Sequence, residues 1–123
     1  MILLDTNAIL WLLTAHPRAV PLRDGRHRHA VSPVSLLELQ LLIEVGRLKL
    51  AAGVDLAAHI TQRGWRIDNP SSHALFAAAI AVPWTRDPFD RLLVAHARLR
   101  RCRLATGDRM LIARLPGEDV IAL

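Results

Sequence analysis

The sequence predicts an α/β fold, a three-layer α/β/α sandwich around a mainly parallel sheet of about four to five strands. Three observations carry this. Short apolar runs alternate with longer helical segments along the whole chain. No tight hairpin joins one run to the next, so the intervening helices must cross over the sheet. The opening run is apolar at consecutive positions, the pattern of a strand covered on both faces. In such sheets ligands sit beyond the carboxyl ends of the strands, so the residues just after each run are the ones to inspect for chemistry.

The elements can be justified in order. Ile2 to Leu4 is the first strand, and helical residues run from about Asn7 to Thr14 until Pro17. Arg18 to Arg28 is polar and basic, with Pro21 and Asp24-Gly25 as turn signals, and reads as a loop. His29-Ala30-Val31 is a second strand. Ser32-Pro33 then supplies an N-cap and a first-turn proline for a helix running to Gly46. A helix over Val54 to Arg63 and a strand near Trp65 to Asp68 come next. Ser71 or Ser72 caps an alanine-rich helix from His73 to Ala81. Asp87-Pro88 repeats the cap-then-proline signal for a helix reaching about Arg101. Arg103 to Thr106 is a strand, Arg109 to Arg114 a short helix, and Val120 to Leu123 a last strand.

No repeat, low-complexity tract or linker interrupts these elements, and 123 residues suit one domain over 1–123. The single Cys102 cannot form an internal bridge, and the start Met1-Ile2-Leu3-Leu4-Asp5 has no basic leader. A cytoplasmic protein is expected on both counts. The longest apolar run, Ala74 to Val82, is about half the roughly 20 residues of a membrane span, so no membrane partner is expected. The net charge of +5 comes almost wholly from arginine, with Lys49 the only lysine. Arginine's planar fork suits phosphate, which makes polyanion binding plausible while remaining compatible with ordinary surface solubility.

Acids carry the chemistry. Asp5 ends the first strand and Asp108 comes after the strand that ends at Thr106, while Asp87 and Asp90 stand at the start of the Pro88 helix. Taken alone, each has an ordinary reading as a helix cap or first-turn acid. Glu38 is harder to explain that way. Its helical neighbours Val34, Leu41, Leu42 and Val45 are all apolar, whereas the polar stripe runs through Gln40, Glu44 and Arg47. Glu38 is therefore expected on or beside the buried face, where a carboxylate needs a compensating partner.

The alternating topology brings the ends of the first and fourth strands, with the nearby helix starts, to one edge of the sheet. Carboxylates meeting there raise one another's pKa values unless something positive lies between them. A hard divalent cation, Mg²⁺ with Mn²⁺ as substitute, prefers such all-oxygen sites. Zinc is disfavoured because Cys102 and the histidines lack zinc-type spacing. His27 and His29, in the basic stretch, are expected to face water.

The same segments resemble the PIN-domain family, and within it the VapC-type toxins. Leu3-Leu4-Asp5-Thr6-Asn7-Ala8 resembles that family's first strand with its leading aspartate. Ser32 to Leu39 resembles the second-helix motif, with Glu38 as its glutamate. Asp87-Pro88-Phe89-Asp90-Arg91-Leu92-Leu93-Val94-Ala95 is a close match to the third segment, with Asp90 as the metal-binding aspartate, and Thr106-Gly107-Asp108 to the fourth. The match is looser at Thr85-Arg86, where relatives often carry a histidine. The resemblance implies a Mg²⁺-dependent ribonuclease whose catalytic set is Asp5, Glu38, Asp90 and Asp108, with Asp5, Asp90 and Asp108 on the metal. It also implies an RNA substrate, a VapB-like antitoxin partner and a homodimer.

Thr6 and Asn7, at the first helix N-terminus, are candidate phosphate contacts or simple caps. Arg91 and Arg98, seven residues apart on one helix face, are candidate RNA contacts or members of a solvated face. Trp11, among Leu10, Leu12 and Leu13, reads as core or interface. A receiver-like signalling module is the competing α/β reading, but it wants an acid pair after the first strand and a lysine on the last. Asp5 stands alone, and Lys49 is in the wrong region. A catalytically inactive nucleic-acid-binding relative is the other alternative, and the presence of the full acidic set argues against it.

Overall fold

The computed structural model describes residues Met1–Leu123. Five strands, β1 (Ile2–Leu4), β2 (His29–Val31), β3 (Arg66–Ile67), β4 (Arg103–Thr106) and β5 (Val120–Ala122), form one sheet in the order β3-β2-β1-β4-β5. Every pairing is parallel, with Leu3 opposite Ala30 on one side and Leu104 on the other. Six α-helices connect them: α1 (Thr6–Leu13), α2 (Pro33–Glu44), α3 (Leu56–Gln62), α4 (Ser72–Ile80), α5 (Pro88–Arg100) and α6 (Arg109–Arg114). The chain leaves β1 for β2 on one side and returns to β4 on the other. The gap between β1 and β4 is therefore the switch point of the sheet.

The period of two along each strand divides the core into two layers. Ile2, Leu4, Val31 and Ala105 face one side, packed with Ala8 and Ile9 of α1, Leu39 of α2 and Ile60 of α3. Leu3, Ala30 and Leu104 face the other, packed with Leu93, Val94 and Ala97 of α5 and Leu111 of α6. Helix α4 lies outside α5, where Leu75 and Ala79 close on Ala95. The three-layer sandwich predicted from the sequence is thus present, and no helix is long and apolar enough to cross a membrane.

The structure differs from the sequence expectation where the signals are local and weak. Strand β3 is two residues long, shorter than the run from Trp65 to Asp68 suggests. The basic stretch is not all loop, since Pro17–Leu22 forms a 3₁₀ helix. His16 Nδ1 accepts from the Arg18 amide at 3.1 Å to start it, and the buried Ala19 and Leu22 anchor it. Pro21, lacking an N–H, is tolerated in so short a turn. His29 does not simply face water. Placed in β2 beside Trp65, it is partly covered, and its Nε2 is buried without a partner.

Candidate active site

The caps that start the helices also place the acids. Asp5, in extended conformation after β1, accepts from the Ala8 amide at 2.6 Å through Oδ1. Asp87 accepts from the Phe89 and Asp90 amides at 2.8 and 3.3 Å, and Asp108 from the Met110 and Leu111 amides at 2.8 and 3.0 Å. Each of these three carboxylates spends one oxygen on its own helix, at the carboxyl edge of the sheet. Glu38 reaches the same place from α2 and Asp90 from the first turn of α5. Together Asp5, Thr6, Asn7, Glu38, Asp87, Asp90, Leu93 and Asp108 line one cleft of about 180 Å³ beside the switch point.

No lysine, arginine or histidine makes an ion pair with any of the five carboxylates. Burial pushes the Asp5 carboxyl up to about 6, and Glu38 and Asp108 push in the same direction, against the Thr106 hydroxyl and the Ala8 amide. Asp90 is pushed up to about 7, first by burial and then by Asp87, Asp108, Glu38 and Asp5. Glu38 is raised by burial, with Asp87 adding to it and the nearby Thr6 hydroxyl opposing. Thr6 Oγ1 itself is buried with no well-formed hydrogen bond. The donor set is all oxygen, which fits a hard cation. As the side chains stand, no three of them are grouped closely enough to hold an ion.

Glu38 meets the expectation of partial burial, but for a different reason than its apolar neighbours suggest. Leu41 and Val45 are themselves exposed, as is Leu37, and α2 buries Ser35 and Leu39 instead. Arg91 and Arg98 lie outside the cleft lining. Arg91 Nε donates to the Thr85 carbonyl at 2.6 Å beside α4, and Arg98 lines a separate apolar cavity with Cys102 and Leu115. Trp11 is a half-buried clamp. His16 stacks on it at 5.5 Å, the Arg18 guanidinium sits 4.2 Å from its centroid, and its edge closes over Gly107, the residue before Asp108.

One buried polar group is not anticipated by the sequence reading. His96, wholly buried on α5, donates from Nε2 to Asp68 Oδ2 at 2.7 Å; its Nδ1 lies 2.9 Å from Ser32 Oγ, the α2 cap. A carboxylate only accepts, so Nε2 carries the proton and Nδ1 accepts from the serine hydroxyl. Arg100 Nε donates to the same Asp68 oxygen at 2.6 Å, and Arg66 lies 3.3 Å from the other. Burial alone would raise Asp68, but the bonds from His96 and Arg100 hold it below the usual carboxylate range. The available signal is a histidine between Ala95 and Ala97 on an otherwise apolar helix face, which demands a partner. Since Ser32 starts the helix carrying Glu38 and His96 sits on the helix carrying Asp90, the network fixes two walls of the cleft.

The fold recurs in solved structures. A toxin-antitoxin complex from Klebsiella pneumoniae contains a chain with 19% identity and a TM-score of 0.72, covering 99% of this chain and 97% of that one. VapBC2 from Rickettsia felis, bound to a DNA fragment from its promoter, matches at 19% identity and a TM-score of 0.71 over 100% and 99%. FitAcB from Neisseria gonorrhoeae matches at 23% and 0.62, over 88% of each chain. No curated protein sequence matches. The PIN domain family model matches residues 2–118. That span takes in β1 to β4 and every acid of the cleft, and the chain accordingly belongs to the PIN domain family.

Proposed function

We propose that the chain is a Mg²⁺-dependent endoribonuclease, the toxin of a type II toxin–antitoxin pair. The observation that carries this is the meeting of five carboxylates without a paired cation in one cleft at the switch point of a PIN-family sheet. Crowding like charges there costs stability, and groups perturbed in this way gather at functional sites. Asp5, Asp90 and Asp108 would hold Mg²⁺, with Mn²⁺ as substitute. The ion, when bound, supplies charge for the attacked phosphate and makes a water more acidic.

The chain's own residues do the rest. Glu38, raised but accessible, takes a proton from a water in the cleft as that water's oxygen bonds phosphorus, while one ester P–O bond breaks and its oxygen leaves with a proton from solvent. Thr6 and Asn7, at the start of α1, offer donors to a non-bridging phosphate oxygen, the Thr6 hydroxyl turning to it from beside Glu38. Asp87 supports the α5 start by capping it, and its nearness helps raise Asp90.

An antitoxin partner is supported by the toxin-antitoxin complexes among the structural relatives. The exposed stripe Leu37, Leu41 and Val45 on α2 runs alongside Glu38 and suits an apolar segment that ends at the acids. Phe76 and Ile80 on α4, also exposed, suit the second copy of a homodimer. The test is cleavage of single-stranded RNA with and without Mg²⁺. Wild type should cut only with the ion, and Asp5→Asn should lose at least about 100-fold. Equal cleavage by the variant, or cleavage in chelator, removes the proposal. Formation of a phosphoaspartate from a small phosphodonor would instead support a receiver.

A further inference from the structure

We infer that the starting edge of the sheet, opposite the acidic cleft, carries a second site that holds a phosphate of a single-stranded nucleic acid. The strand starts bring arginines together there. Arg28 precedes β2, Arg66 opens β3 and pairs in register with Ala30, and Arg103 opens β4 opposite Ile2. A depression of about 450 Å³ between β1, β2 and β3 is lined by Met1, Arg28, His29, Gly64 and Arg66. Gly64 gives that wall no side chain, and a Cβ there would meet nothing. Arg63, on the other side of Gly64, lies 5.8 Å from the Trp65 ring, which in turn meets His29 edge-on at 6.0 Å.

Two features point to an anion. Arg28 has no ion pair, and Arg66, although 3.3 Å from Asp68, keeps a side chain that is 72% exposed. His96 and Arg100 both bond Asp68 Oδ2, while Arg66 meets Oδ1 through one terminal nitrogen, which leaves the rest of its exposed guanidinium to face a ligand. His29 lines the depression as a neutral wall, its ring hydrogen-bonded to the Leu22 backbone and its pKa lowered by burial. Asp24 is the acid that acts on His29, and it lies 3.8 Å from Arg26. Charge is also segregated across the molecule. Five of the eleven acids line the cleft, leaving six to face sixteen arginine and lysine side chains elsewhere.

A guanidinium fork matches phosphate geometry, and two forks at one depression fit a single backbone phosphate. Trp65 beside it supplies the aromatic surface found with such phosphate sites in single-strand binders. Holding a strand here requires no cleavage; only the choice of RNA as the strand rests on the ribonuclease reading.

The experiment measures binding of a fluorescently labelled single-stranded RNA to the full chain in chelator, where no cutting occurs, over a range of salt. Arg28→Ala with Arg66→Ala should weaken binding about tenfold, and the slope of log affinity against log salt should flatten by about 0.7, the change for one phosphate no longer neutralised. Arg28→Glu, at an exposed site with no ion pair, should weaken binding as a single change. Arg109→Ala with Arg114→Ala, on exposed α6 positions, should change affinity and slope far less. Equal loss from the α6 pair, or no loss from the β2 and β3 pair, overturns the site. So does inorganic phosphate binding as tightly as RNA, which would mark a free-ion pocket. If the double variant loses binding while wild type never cleaves with Mg²⁺, this site stands and the nuclease reading falls. A wild type that cleaves while all variants bind equally removes this site alone.

Discussion

At the level of single residues, Asp5 serves two purposes that substitution can separate. Its Oδ1 caps α1 through the Ala8 amide, while its carboxyl is held up to about 6 by burial and by Glu38 and Asp108. Asn keeps a side-chain oxygen for the cap and removes the charge. Asp5→Asn should therefore abolish Mg²⁺-dependent cleavage and yet raise the melting temperature measured in chelator at neutral pH. A fall in melting temperature would mean that the carboxylate is stabilising, contrary to its raised pKa. Gly107 presents the opposite case, where a small residue is required. A Cβ there would come within 2.6 Å of Trp11 Cζ3 and 2.9 Å of the Arg18 guanidinium. Trp11 is set among α1 residues and stacked on His16, so it cannot yield freely. Gly107→Ala should cost about 1–3 kcal/mol in denaturant unfolding, as overpacking does. It should also displace Asp108 and reduce cleavage. An unchanged midpoint would show that the ring swings away without cost.

Among the elements, the coupling of α2 to α5 decides the shape of the cleft. His96, Ser32 and Asp68 form a buried chain from one helix through the other's cap to the end of β3. Replacing His96 by Leu leaves the Asp68 carboxylate, only 2% exposed, with one partner fewer, and the Ser32 hydroxyl without an acceptor. Breaking such a buried pair costs about 3–5 kcal/mol. His96→Leu should lower stability by that order. His96→Gln, with a donor and an acceptor on one amide, should recover part of it and part of the cleavage rate. If Leu and Gln are equally disruptive, the polar chain is not what joins the helices. The elements are legible in the sequence, but this joint is not. Caps such as Asp5, Ser32 and Asp87 can be read because their partners lie two or three residues away. His96 and Asp68 are 28 residues apart, and nothing local says that they meet. The same limit applies to α2. Its apolar residues are visible, but which of them face solvent depends on how α2 leans on α5, and Leu37, Leu41 and Val45 are exposed. The acidic cleft is legible because parallel topology alone gathers the residues just past β1 and β4.

Across the whole molecule, the concentration of acids at one edge of the sheet makes stability depend on protons and divalent ions together. Asp5 and Asp90 have carboxyls raised to about 6 and about 7, so both bind protons more tightly folded than unfolded. The stability they contribute is complete below about pH 4 and is lost as pH rises through those two values. For Asp5 alone the loss is about 3 kcal/mol, at about 1.4 kcal/mol for each tenfold step in proton affinity. His29 and His96 act in the opposite sense. Burial lowers both, so they destabilise the fold as pH falls below their ordinary 6.5. Asp68, held low, matters only at still more acid pH. A bare melting curve against pH mixes these contributions, but a difference between proteins does not. Asp5→Asn with Asp90→Asn keeps every histidine and Asp68 while removing the two raised carboxyls. Its melting temperature minus that of wild type, measured in chelator, should be small near pH 4 and should grow toward about pH 8. Mg²⁺ replaces the lost protons as the compensating charge, so adding it should stabilise wild type at pH 8, have little effect near pH 5, and leave the double variant unmoved at both. A difference that stays flat with pH, or a double variant that Mg²⁺ stabilises as much as it does wild type, would show that the charge of the cleft is balanced by something other than a divalent ion.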